Sequence, residues 1–167
     1  DINSDGTAVN LASQINSVNG QTTVTTGNIT AGGEGVAIES NDNSNNYEIK
    51  VKTGTVTTGG TGITVNQSGT GSISVETGDV NAGTATAAGV NGFQNAGGYG
   101  VRLDSDPHGA TVAGAGGADW NLTTGNITVT NNATGDFAGT GIGLGTINGG
   151  GNGDTTVTAG NIQAGTG

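Results

Sequence analysis

Two short patterns recur along this chain in a fixed order, and their recurrence leaves few folds open. The first, apolar-x-apolar-x-Thr-Gly-x-apolar-x, occurs at Thr22–Thr30, Ile49–Thr57, Ile73–Asn81 and Trp120–Thr128, and with Ala159 in place of Thr at Thr155–Gln163. The second, Gly-x-Gly-apolar-x-apolar, follows at Gly33–Ile38, Gly60–Val65, Gly98–Leu103 and Gly139–Leu144. A degenerate copy stands at Gly6–Leu11 and a truncated one at Gly165–Gly167. The turn glycines Gly27, Gly54, Gly78, Gly125 and Gly160 are therefore 27, 24, 47 and 35 residues apart. Self-similarity at such a period is the mark of a repeat architecture, in which each unit buries its apolar face only against its neighbours. The period widens by insertion: residues 82–97, 104–119 and 129–138 lengthen the chain without touching the motifs. Loops leaving one corner of a coil behave in this way.

Within each motif the apolar residues alternate with period two, so each reads as strand, corner, strand. Aligned by motif, the inward positions form five columns. They are Thr22/Ile49/Ile73/Trp120/Thr155, Val24/Val51/Val75/Leu122/Val157, Ile29/Val56/Val80/Ile127/Ile162, Val9/Val36/Ile63/Val101/Ile142 and Leu11/Ile38/Val65/Leu103/Leu144. The reading is an all-β right-handed parallel β-helix, a β-solenoid of about five coils of three short strands with loop insertions. A left-handed helix would need six-residue faces in coils of ~18 residues, which are absent here. The corner glycines are expected to supply positive φ. The column Asn28, Thr55, Asp79, Asn126, Asn161 is expected to form an outward polar ladder, and Lys52 to lie over Glu76. Residues 1–167 read as a single solenoid segment that starts and stops within its repeat, as a piece of a longer repetitive protein does.

Composition explains how so thin a core can suffice and which partners it excludes. Glycine supplies 36 of 167 residues, and there are only one Trp, two Tyr and two Phe. The apolar side chains are mostly Val, Ile and Ala, suited to a narrow interior. A single proline and 10% charged residues argue against disorder, which favours Pro and high charge. With three Lys and Arg against 13 acids, the net charge is −10, so no basic footprint exists for nucleic acid or an anionic membrane. No apolar stretch is long enough to span a bilayer as a helix. Cysteine is absent, which removes disulfides and thiolate metal sites.

Each candidate chemical feature has a plainer structural reading. The stretches beginning at Gly32, Gly59 and Gly97 resemble the calcium-binding nonapeptide G-G-x-G-x-D-x-U-x, but its Asp position holds Ala37, Thr64, Arg102 and, in the fourth copy, Gly143. No cofactor is therefore expected, and calcium is not supported by that motif. Thr pairs such as Thr23/Thr25 share their column with Lys50/Lys52 and Ser74/Glu76, which spoils a regular ice-binding lattice. Asp104, Asp106 and His108 cluster beside Pro107 and Gly109, so the cluster reads as a solvated turn, with Asp104 and Asp106 as candidate metal ligands. No catalytic residue is assigned. Trp120 occupies a core column, whereas Phe93, Tyr99 and Phe137 are candidate partner contacts. Asn28, Asn66, Asn121, Asn126 and Asn132 head Asn-x-Ser/Thr triplets that fall mostly within the repeat and read as ladder residues.

The TTGNIT copies and the Gly-x-Gly-Val-x-Ile pattern, with Thr, Asn and Gly at the corners and no Cys, resemble the passenger regions of bacterial type V secreted proteins. These are the autotransporters and the filamentous-haemagglutinin-like exoproteins. The resemblance covers essentially the whole chain and implies a right-handed β-helix displayed on, or released from, a bacterial surface and acting in adhesion or aggregation. No family site residues carry over. The expected role is an extracellular, non-enzymatic structural and adhesive module that presents its loops, with neighbouring repeats, other copies or surface glycans as partners. A self-assembling extracellular filament or matrix protein is the alternative, and a polysaccharide-active β-helix enzyme ranks third.

Overall fold

The computed structural model describes residues 1–11, 21–40, 47–67, 71–83, 98–104, 119–130, 139–145 and 153–165. Strands are numbered in chain order. Sheet A stacks β1 (Ile2–Ser4), β4 (Ile29–Ala31), β7 (Val56–Thr58), β10 (Val80–Ala82), β13 (Ile127–Val129) and β16 (Ile162–Ala164). Sheet B stacks β2 (Val9–Leu11), β5 (Val36–Ser40), β8 (Ile63–Gln67), β11 (Tyr99–Asp104) and β14 (Thr140–Leu144). Sheet C stacks β3 (Thr22–Thr25), β6 (Ile49–Lys52), β9 (Ile73–Glu76), β12 (Trp120–Thr123) and β15 (Thr155–Thr158). The chain visits A, B and C in turn, and every strand pairs in parallel with the strand one coil away. The fold is a right-handed parallel β-helix of about five coils of three strands. β1 adds a sixth strand to sheet A below the first full coil.

Pairing follows the columns residue for residue. Ile49 pairs with Ile73, Ile73 with Trp120, and Val36 with Ile63, so branched side chains stand above one another along the axis. The interior is a single apolar cluster in which Val51, Val56, Ile63, Val65, Val80, Val101 and Ile127 are fully buried. Each such side chain contributes ~1.5–3 kcal/mol relative to exposure. A sixth inward column, Ala31, Thr58, Ala82 and Val129, closes the triangle at the end of sheet A. Its small and mixed residues, Ala, Thr and Val, stand out less than the branched aliphatics of the other columns. In the last coil, Thr155 and Val157 are exposed despite their column positions.

Two sequence expectations need correction. The corner glycines do not use positive φ: among the described glycines only Gly165 has it, at 22°. What demands glycine is the neighbouring coil. A Cβ on Gly54 would stand 2.4 Å from Asn28 Oδ1, and one on Gly125 would stand 2.4 Å from Asp79 Oδ1. Gly27 and Gly160 meet Asp1 and Asn126 in the same way, and Gly78 meets the backbone of Gly54 and Thr55.

The insertions also leave from two corners rather than one. The connection from C to A is three residues in every coil: 26–28, 53–55, 77–79, 124–126 and 159–161. Length variation is confined to the B-to-C corner (12–21, 41–48, 68–72, 105–119, 145–154) and the A-to-B corner (notably 83–98 and 130–139). Ala82, Asp104 and Val129 are terminal strand residues, one position inside the boundaries expected for the insertions. Asp119, at the far end of the second insertion, belongs to the coil stack: its Oδ1 accepts a bond from Asp154 N at 2.9 Å.

Candidate ligand site on the outer face of sheet B

The constant corner shows what a side chain facing the next coil normally does. Asp1 Oδ1 accepts from Asn28 N (2.8 Å), Asn28 Oδ1 from Thr55 N (2.9 Å), Asp79 Oδ1 from Asn126 N (2.7 Å) and Asn126 Oδ1 from Asn161 N (3.0 Å). The expected polar ladder exists, and it is broken at Thr55, whose side chain is too short to cap the coil above. The preceding threonines, Thr53, Thr77 and Thr124, are buried. Thr53 donates to Thr77 Oγ1 at 2.7 Å, and Thr77 donates to Gly54 O at 3.2 Å. On sheet C, Lys52 Nζ meets Glu76 Oε1 at 2.7 Å as expected, with both side chains more than half exposed.

Sheet B departs from this pattern. Its strands β5, β8 and β11 run past their apolar pair into polar residues, and the register aligns Glu39 with Asn66 and Asn66 with Asp104. By alternation these three project outward, opposite Ile38, Val65 and Leu103, yet their exposures are only 7%, 2% and 5%. Arg102 Nη2 donates to Asp104 Oδ2 at 2.8 Å, and the guanidinium lies 5.3 Å from the Tyr99 ring centroid. Gly143 and Gly145 continue the two outward columns on the far side. A Cβ at Gly143 would meet the Tyr99 ring at 2.7 Å, and one at Gly145 would meet Asp104 Oδ1 at 2.4 Å.

Buried polar atoms are nearly always paired in folded proteins. Among the side chains of the described residues the unpaired buried atoms are Thr64 Oγ1, Asn66 Oδ1, Asn66 Nδ2 and Gln67 Oε1, all on β8. Gln67 Nε2, by contrast, donates to Tyr47 O at 3.0 Å. The buried side-chain atoms without a partner among the described residues thus all lie on one strand, β8.

Of the residues singled out from the sequence, Asp104 is the carboxylate of this row, paired with Arg102. Tyr99 sits beside it, half-buried, with the Arg102 guanidinium over its ring. Asp106, His108, Phe93 and Phe137 lie outside the described residues. Trp120 is a core residue, 2% exposed. Glu39 and Asn66 were missed as site residues. The available signal was that both interrupt the outward register of a strand at matching positions two residues beyond the failed nonapeptide Asp. No group of three or more His, Cys, Asp or Glu side chains gathers among the described residues. No helix among them is long and apolar enough to cross a membrane. No family model, curated protein or solved structure matches the chain.

Proposed function

We propose that this chain is a structural and adhesive module: a stiff extracellular solenoid that displays its B-to-C and A-to-B connections to a cell or surface partner. The observation that carries the reading is the division of labour among the corners. One corner is held at three residues in every coil, while insertions occur only at the other two. A scaffold that tolerates insertion at fixed places while keeping strand register suits display, because binding residues concentrate on loops held by a rigid frame. The resemblance to type V passenger regions points the same way and supports a bacterial cell-surface location and a non-enzymatic role. Attachment of the purified chain to bacterial and epithelial cells and to a glycan array tests the proposal. Replacing 84–97, 105–118 and 131–138 together by short turns should abolish attachment while leaving the β-sheet circular dichroism intact. Absence of attachment to every surface, or attachment indifferent to the replacements, refutes it.

A second reading is axial self-assembly, with copies stacking coil on coil. It draws on large hydrophobics exposed among the described residues: Leu11 on β2, Leu144 on β14, Val157 on β15 and Ile162 on β16. Electron microscopy across a concentration series separates the two: fibres with a ~4.8 Å axial repeat favour assembly, and discrete rods favour the module.

A further inference from the structure

We infer that the outer face of sheet A is an ice-binding surface. Strand pairing aligns Asn3, Thr30, Thr57, Asn81, Thr128 and Gln163 in one outward rank through all six strands of the sheet. All of them are exposed except Thr128, which is half-buried. Two residues before each stands a member of the corner ladder that begins with Asp1 and Asn28. Rungs repeat at ~4.8 Å and the two ranks lie ~6.6 Å apart, two residues along the strand. That two-dimensional mesh is comparable with the spacing of water oxygens on a face of ice.

The chemistry of the outer rank defines the ligand. None of its side chains is charged, in a chain with 13 acids and a net charge of −10. Strand propensity accounts for the threonines but not for Asn3 and Asn81, since Asn is disfavoured in strands. Charge is tolerated at the equivalent positions of sheet C, where Lys50, Lys52 and Glu76 spoil the lattice; on sheet A the rank is unbroken. Its six side chains engage no other protein group, so their hydroxyls and amides are open to water. In the ladder beside them, Asn28 and Asn126 are pinned by bonds to the next coil, which lowers the entropy cost of ordering a ligand against them. The ladder carboxylates of Asp1 and Asp79 are likewise taken by backbone amides of the next coil. The three-residue corner that carries the ladder has no insertion in any coil. The two ranks hold no aromatic ring on which a sugar could stack, and no large anchor of the kind that dominates protein interfaces. A planar ligand that offers the same hydrogen-bonding contact at every rung fits this face, and ice is such a ligand.

The test uses the whole chain in nanolitre osmometry, and follows fluorescently labelled protein into a growing hemisphere of ice. Concentration-dependent thermal hysteresis, faceted crystals and enrichment of the label in ice are expected. Thr57 is exposed at mid-face between Thr30 and Asn81, so Thr57→Lys should abolish all three signals while keeping the circular dichroism and Tm of the wild type. Thr123→Lys, an equally outward change on sheet C, should leave ice binding intact. The inference is overturned if the wild type shows neither hysteresis nor enrichment at millimolar concentration. It is overturned equally if Thr57→Lys binds ice as the wild type does, or if Thr123→Lys abolishes binding too. Should Thr57→Lys fail to fold, unchanged ice binding in Thr30→Lys overturns it. Retention on crystalline cellulose or chitin without any effect on ice also overturns it, in favour of a polysaccharide lattice.

Discussion

Gly62→Ala sets two physical accounts of the Gly-x-Gly motif against each other. If the glycine serves only chain flexibility, alanine should stabilise: at a position with an ordinary φ, Gly→Ala typically gains ~0.4–1 kcal/mol by restricting the unfolded chain. The structure gives the opposite sign. Gly62 lacks positive φ, but a Cβ built on it stands 2.4 Å from Gly100 O and 2.6 Å from Val80 Cγ1. Ordinary van der Waals contact begins at 3.4 Å, so the carbonyl of the coil above would have to retreat by 1.0 Å, the difference between 3.4 and 2.4. That carbonyl belongs to a registered parallel ladder and cannot move alone, and Val80 is itself fully buried. Overpacking of this kind costs ~1–3 kcal/mol. At ~2–4 °C per kcal/mol for a chain of this size, the expected fall in Tm is ~2–12 °C. Urea denaturation and thermal melts followed by far-ultraviolet circular dichroism measure it. Gly6→Ala is the control, since a Cβ there meets nothing within 4 Å, and it should be neutral or slightly stabilising. A Gly62→Ala protein as stable as wild type would refute the claim that close approach between coils is what selects glycine here.

Three further outcomes are expected. Trp120 is the only tryptophan and lies in the core, so its emission should be blue-shifted and shielded from acrylamide, and Trp120→Ala should destabilise by ~3–5 kcal/mol in denaturant titrations. Thr55→Asn should complete the ladder by capping Asp79 N and raise stability by ~0.5–1 kcal/mol; a lower Tm would show that the gap is not a missing hydrogen bond. A double-mutant cycle on Lys52 and Glu76 should return a coupling below ~1 kcal/mol that fades with added salt, because both side chains are more than half exposed.

Much of the scaffold was legible because a solenoid is built from local, repeated rules. Period-two alternation separates inward from outward residues, and the spacing of the motifs sets the register. Together these place Val36 under Ile63 and Lys52 beside Glu76 from the sequence alone. The ladder through Asn28 and Asn126 followed from the same alignment.

What tertiary structure alone decided is whatever depends on the coil above or below. Residue type could not distinguish a glycine chosen for φ from one chosen because a neighbouring carbonyl stands where its Cβ would be. Ala31, Thr58 and Ala82 close the core although such small side chains are as common on surfaces as in interiors. Asn66 looked like one more ladder asparagine, yet Asn28 and Asn126 each meet a backbone amide of the next coil and Asn66 meets none. One-dimensional pattern specifies which way a side chain points. Only stacking in three dimensions determines what occupies the space it points into.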